Sequence, residues 1–198
     1  NRFLAALSTD GVIKIWSANT GKEIFPLEPL AATAGAAPGL LFSRNGKWLV
    51  ACSVGCKVWN VQTGRLHLNL RPGKSAGRPS FSPDGKFLVV PGVPITVFEI
   101  ATGKEIALLT THLDFVFDTA YSSDGKFLAT AGRDQLVKIW DTVLWRELTT
   151  IKGHSNVIMS VAFSPDDQTL LTASVDQTVK FWPVSQWLKQ TPLTRADT

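Results

Sequence analysis

Two cysteines among 198 residues are too few for a disulfide framework, and this scarcity makes the reducing cytoplasm the expected compartment. No stretch reaches the roughly eighteen uninterrupted apolar residues of a membrane span; Phe87 to Ile100 is cut by Pro91, Gly92 and Pro94. No basic-then-apolar leader opens the sequence. Charge is sparse at 18%, and 20 basic against 16 acidic side chains leave only +4. The Lys and Arg are spread along the chain, which gives no basic patch for nucleic acid. Helical periodicity is missing too, while 44% hydrophobic content excludes a disordered chain.

What is present is a repeat. In Ala120 to Asp141, AYSSDGKFLATAGRDQLVKIWD, Phe127 to Ala131 is a short apolar run, Gly132 to Gln135 a turn, and Leu136 to Trp140 a second run with β-branched and aromatic residues. That pattern predicts a β-hairpin. Ser122 to Gly125 predict a tight turn ahead of it, so a third strand should end at Tyr121. The aromatic closing the last strand recurs as Trp16, Trp59, Phe98, Trp140 and Trp182, at intervals of 43, 39, 42 and 42 residues. Short strands repeating at this interval mark propeller blades, whose faces leave water only when neighbours stack.

Phe163-Ser164-Pro165-Asp166, then Leu170 to Asp176 and Val179-Lys180-Phe181-Trp182, preceded by Gly153-His154, make a unit that resembles a WD-repeat β-propeller blade. The literal Trp-Asp pair stands only at Trp140-Asp141; elsewhere the aromatic is followed by Ser17, Asn60, Glu99 or Pro183. The resemblance implies an all-β fold of about five four-stranded blades, approximately 1–27, 40–70, 79–109, 116–151 and 157–193, with 194–198 a tail. It also implies membership of a larger ring, seven blades being usual in the family.

The first blade lacks an inner strand and no initiator Met precedes it, so the sequence reads as a segment of a longer chain. Outer strands are expected at Lys22 to Leu27, Arg65 to Leu70, Lys104 to Leu109, Arg146 to Ile151 and, weakly, Leu188 to Leu193. Blades two and three are degenerate, both without the turn aspartate. The Ala-, Gly- and Pro-rich connection from Glu28 to Gly39 is expected to be mobile or ordered by a partner.

Recurring Ser, His and Asp invite a catalytic reading, but the spacing favours a structural one. Thr172 lies four residues before Asp176 and Trp182 six after, so the hairpin should bring Thr172 and Trp182 side by side, with His154 arriving from the preceding loop. A neutral imidazole can link Thr172 to Asp176 while the indole donates to the threonine oxygen. His112, Thr130, Asp134 and Trp140 repeat the set in blade four, whereas blade one keeps Asp10 and Trp16 but has Ala6 at the threonine position. Cys52 and Cys56 lack partners for a zinc shell, sit diagonally across their hairpin, and are expected to be buried free thiols. His67 is expected to be a solvated edge residue. No metal or cofactor is implied.

The leading function is a non-catalytic scaffold for a protein or peptide. Alternatives are a regulatory propeller segment of a larger enzyme or signalling protein, and a propeller hydrolase using channel-mouth carboxylates such as Asp114 and Asp118. In the resembled family, partner contacts come from residues six and four before the aromatic ending the inner strand, and from the residue before the turn aspartate. Here these are Phe115, Phe117 and Arg133, then Val157, Met159 and Val175, with Thr9 from blade one. Phe115 and Phe117 could equally pack against a neighbouring blade. Self-association through exposed blade faces is a further expectation.

Overall fold

Short runs of alternating side chains, each stopped by a turn built from its own Ser, Asp or Gly, give strands almost throughout the computed structural model, which describes residues 2–8, 10–30, 39–53, 55–71, 74–75 and 77–188. Blade one holds β1 (Phe3–Leu7), β2 (Ile13–Ser17) and β3 (Glu23–Pro26) in that order. Blade two is β4 (Gly39–Phe42), β5 (Trp48–Cys52), β6 (Cys56–Asn60) and β7 (Leu66–Leu70). After β8 (Lys74–Ser75), blade three takes β9 (Ser80–Phe81), β10 (Phe87–Val90), β12 (Ile95–Glu99) and β13 (Glu105–Leu109), while β11 (Gly92–Val93) turns aside to pair with β8. Blade four is β14 (Val116–Tyr121), β15 (Phe127–Gly132), β16 (Val137–Asp141) and β17 (Arg146–Ile151). Blade five is β18 (Ile158–Phe163), β19 (Thr169–Ser174) and β20 (Val179–Pro183), followed by the single-turn α1 (Ser185–Leu188). Every pairing within a blade is antiparallel.

The turn that closes each inner strand is chemically the same device. In blade four Ser122 Oγ accepts the Phe127 N–H at 3.0 Å and donates to Asp124 Oδ1 at 2.8 Å, and that oxygen also accepts the Lys126 N–H at 3.0 Å. The chain then passes through Gly125 at φ 74°, a conformation an L side chain resists. Blade five puts Asp167 there at φ 55°. Its carboxylate receives the Ser123 N–H at 2.9 Å, so the left-handed residue gains a bond to the neighbouring blade.

Strand periodicity sends alternate residues into different interfaces. Leu49 and Ala51 pack with Ile13 and Ile15 of blade one, whereas Trp48, Val50 and Cys52, from the same strand, pack with Leu88, Val90 and Phe98 of blade three. Val89 and Val97 meet Val116, Leu128 and Trp140. Ala129, Ala131, Val137 and Ile139 then meet Ile158, Val161 and Leu170. Four apolar clusters thus join five blades in chain order. Burying a side chain such as Ile139 fully stabilises by about 1.5–3 kcal/mol, which makes these clusters the main support of the stack.

Polar ties cross the same interfaces. Lys57 Nζ donates to the Pro29 carbonyl at 2.9 Å and pairs with Glu28, and the Leu30 N–H reaches the Gly11 carbonyl at 3.0 Å. The start of the connection expected to be mobile is therefore anchored; residues 31–38 lie outside the described residues. His67 is exposed on the edge strand β7, as expected, and is also partnered: its ring stacks on Trp48 with centroids 4.4 Å apart and Nε2 lies 2.8 Å from the Ile100 carbonyl of blade three.

Two further expectations are corrected. Cys52 and Cys56 are not free thiols: they are directly opposed in the β5–β6 ladder and joined as a disulfide. The Ser53 N–H bonds the Gly55 carbonyl at 2.8 Å, a tight connection that places the two cysteines opposite rather than diagonal. At the other end, Leu188 belongs to α1 rather than to a strand, and the rest of the expected outer strand falls outside the described residues.

Candidate partner-binding face

The histidine networks are set by register. His112 Nδ1 lies 2.7 Å from Asp134 Oδ2 and Nε2 lies 2.7 Å from Thr130 Oγ1, while the Trp140 indole N–H donates to the same oxygen at 2.9 Å. His154, Asp176, Thr172 and Trp182 repeat these distances in blade five. The threonine stands opposite a lysine, Thr130 opposite Lys138 and Thr172 opposite Lys180, so each indole reaches its threonine diagonally rather than from the paired position. Burial works against the Asp134 carboxylate, but the bonds from His112 and from the Leu136 and Leu113 N–H groups hold it below the usual range. Asp176 is held lower still, first by the Thr178 hydroxyl and then, against burial, by His154. Both imidazoles are buried and every nitrogen has a partner, so neither ring is open to a substrate.

The rim beside these networks is shaped by two β-bulges. Pairing of β14 with β15 shifts between Val116 and Asp118, leaving Phe117 as the extra residue; pairing of β18 with β19 shifts between Ile158 and Ser160, leaving Met159. A bulge re-aims its side chain away from the regular pleat. Met159 is 49% exposed and Val175 50%, Arg133 is exposed, and Phe115, Phe117 and Val157 are half-buried. Neither phenylalanine joins the clusters between blades. Backbone bonds draw these residues together: the Arg133 N–H donates to the Phe115 carbonyl at 2.8 Å, and the Val175 N–H to the Val157 carbonyl at 2.9 Å. Thr9 lies outside the described residues.

Sequence reasoning missed Leu113 and Lys138, and it named Asp114 and Asp118 without showing what they meet. Leu113, 87% exposed, stands on the same loop as His112. Asp118 is buried and bridges blades, accepting from Ser160 Oγ at 2.8 Å and the Val161 N–H at 3.0 Å; burial nonetheless leaves its pKa raised. Asp114 accepts the Phe115 N–H at 2.8 Å and lies 3.7 Å from Arg133 Nε. On the outer side, Lys138 is buried between Glu147 at 3.0 Å and Thr150 at 2.9 Å. An Asp-Arg-Asp-Lys scatter carries no sequence signal of which charges meet; strand register decides it.

Residues 103–141 and 145–183 match the WD domain, G-beta repeat family. Each matched stretch begins near the outer strand of one blade and supplies the three inner strands of the next, so the sequence repeat straddles two sheets. Among curated proteins, the chain is 34% identical over 89 residues to "Target of rapamycin complex subunit wat1" of Schizosaccharomyces pombe, covering 43% of this chain and 28% of that protein. It is 32% identical over 90 residues to "WD repeat and SOCS box-containing protein 1" of Danio rerio, 43% of this chain and 21% of that protein. It is also 26% identical over 142 residues to "Pre-mRNA-processing factor 19" of Oryza sativa subsp. japonica, 67% of this chain and 26% of that protein. The chain thus spans between a fifth and just over a quarter of these relatives.

Proposed function

We propose that this WD-repeat chain is a non-catalytic scaffold whose rim, built from Phe115, Phe117, Arg133, Val157, Met159 and Val175, binds a protein or peptide. The observation that carries the reading is the pair of bulges that turn Phe117 and Met159 out of the pleat at equivalent places in adjacent blades. Aromatic side chains, Met and Arg are the residues enriched at interface cores. The names of the matched relatives, a complex subunit among them, agree with a binding role.

The carboxylates that a hydrolase would need are engaged elsewhere, Asp118 between blades and Asp114 with the Phe115 N–H and Arg133. His112 and His154 act in this reading as struts, each tying a loop to two strands. That the chain is a regulatory segment of a larger protein is a compatible second reading, favoured by the small share of each relative it spans. A cytoplasmic setting goes with the scaffold reading as an expectation. The Cys52–Cys56 disulfide bears against it, and thiol alkylation in extract with and without reductant decides between them. Among the described residues no helix is long and apolar enough to cross a membrane.

The test is the double variant Phe117→Ala with Arg133→Ala. It should lose a partner recovered from extract by the parent while keeping the parent's circular dichroism and melting behaviour. Retained binding would place the interface elsewhere.

A further inference from the structure

Two glycine-arginine pairs clamp one strand segment from opposite sides. A Cβ added at Gly132 would fall 2.1 Å from the Phe115 carbonyl oxygen, and one at Gly77 would fall 2.4 Å from the Phe117 carbonyl oxygen. Only glycine permits either approach. The residue after each is an arginine whose backbone N–H completes the contact: Arg133 donates to the Phe115 carbonyl and Arg78 to the Phe117 carbonyl, both at 2.8 Å. The same device therefore ties an arginine's backbone to each of two phenylalanines, one from blade four's own hairpin and one from blade three.

Each arginine has one carboxylate in reach, but the exposed charge is mostly that of the guanidiniums, because Asp118 is buried while Arg78 and Arg133 are exposed. Arg78 interacts with the buried Asp118 carboxylate without a contact inside 4 Å among the described residues, and Arg133, with a side chain 59% exposed, has Asp114 at 3.7 Å. The acids present are largely spent. Asp118 is buried and accepts from Ser160 Oγ, the Val161 N–H and, at 3.1 Å, the Thr119 N–H, while Asp114 holds the Phe115 N–H. A cleft of about 490 Å³ opens at Arg78, with Leu40, Leu41 and Pro79 as apolar walls for a large side chain and Ser80, Asp118 and Thr119 on its polar side.

We infer that this face takes an extended peptide in which acidic side chains alternate with large apolar ones, an inference that rests on the rim proposed above being the binding surface. The apolar residues pack on Phe115, Phe117 and the cleft, and the carboxylates meet Arg78 and Arg133. A basic peptide would bring like charge against both guanidiniums.

The experiment is selection of a random dodecapeptide display library on the immobilised protein, with counter-selection on Phe117→Ala and on the exposed-charge variant Arg78→Gln with Arg133→Gln, each first shown to melt like the parent. Enriched peptides should carry Asp or Glu interleaved with Phe, Leu or Ile. They should lose affinity about tenfold on the arginine variant and weaken with added salt. Peptides that need Phe117 but show no acidic enrichment would overturn the inference and leave the rim standing. Peptides indifferent to both variants, or no enrichment at all, would overturn both. If Phe117→Ala fails to fold, Phe117→Leu replaces it, and the arginine variant alone decides the question of charge.

Discussion

Trp59 and Ala51 stand in blade two where Trp140 and Thr130 stand in blade four, and the indole N–H of Trp59 is buried without an acceptor. The register is the same in both blades, Leu49 opposite Trp59 and Leu128 opposite Trp140, so the missing hydroxyl alone accounts for the orphaned donor. Ala51→Thr should restore the bond and stabilise the chain by about 0.5–1.5 kcal/mol in urea denaturation. A loss of stability would show that the interface with blade one has no room for the two added atoms.

Thr130 makes the converse case. Thr130→Val keeps the volume of a fully buried side chain but leaves the Trp140 indole and His112 Nε2 unpaired, and should cost about 1–3 kcal/mol. Thermal melting checks it. An unchanged melting temperature would remove the structural role assigned to the network.

Asp118 and Asp134 should respond to pH with opposite sign. The folded chain raises the Asp118 pKa, chiefly by burial, so the proton is held more tightly than in the unfolded state and the ionised group costs stability as pH rises through its folded value. The Asp134 pKa is lowered in the fold, so its contribution is present above the unfolded value of about 3.9 and is lost as pH falls through the folded one. Relative to the parent, Asp118→Asn should therefore gain stability as pH rises above the unfolded value of about 3.9, whereas Asp134→Asn should fall behind it as pH rises from acid. Denaturation curves at a series of pH values rising from acid are the check, and slopes of the same sign would contradict it.

The outer face of blade five carries Val179 and Phe181, 57% and 65% exposed, at the positions whose counterparts Val137 and Ile139 pack between blades four and five. The 198-residue chain should accordingly self-associate as its concentration rises. Phe181→Lys should shift it toward monomer in analytical ultracentrifugation; a dilute, monodisperse parent would count against this.

Blade count and strand order were legible because hydrophobic alternation and turn chemistry act locally, and five marker aromatics repeat the result. The ends of β1, β14 and β17 fall where Phe3, Tyr121 and Arg146 to Ile151 place them. What escaped was set by register. A one-residue difference put Cys52 opposite Cys56 and made a disulfide. The bulges at Phe117 and Met159 arise from how β14 and β18 pair, not from residue type. The bond from His67 to Ile100 depends on how blade three stacks on blade two, which no local pattern encodes. Arg78 gave no signal because its place beside Phe117 is fixed by a bond across 39 residues of chain.

Photo-crosslinking tests the binding rim most directly. A benzophenone side chain at position 117 is compared, in cells producing the protein, with the same group at position 143, where Val143 is 80% exposed on a turn after β16 outside the proposed rim. The scaffold account predicts a discrete adduct from position 117 that Arg78→Gln with Arg133→Gln diminishes, and only background from position 143. Equal adducts from both positions, or adducts from position 143 alone, would contradict it.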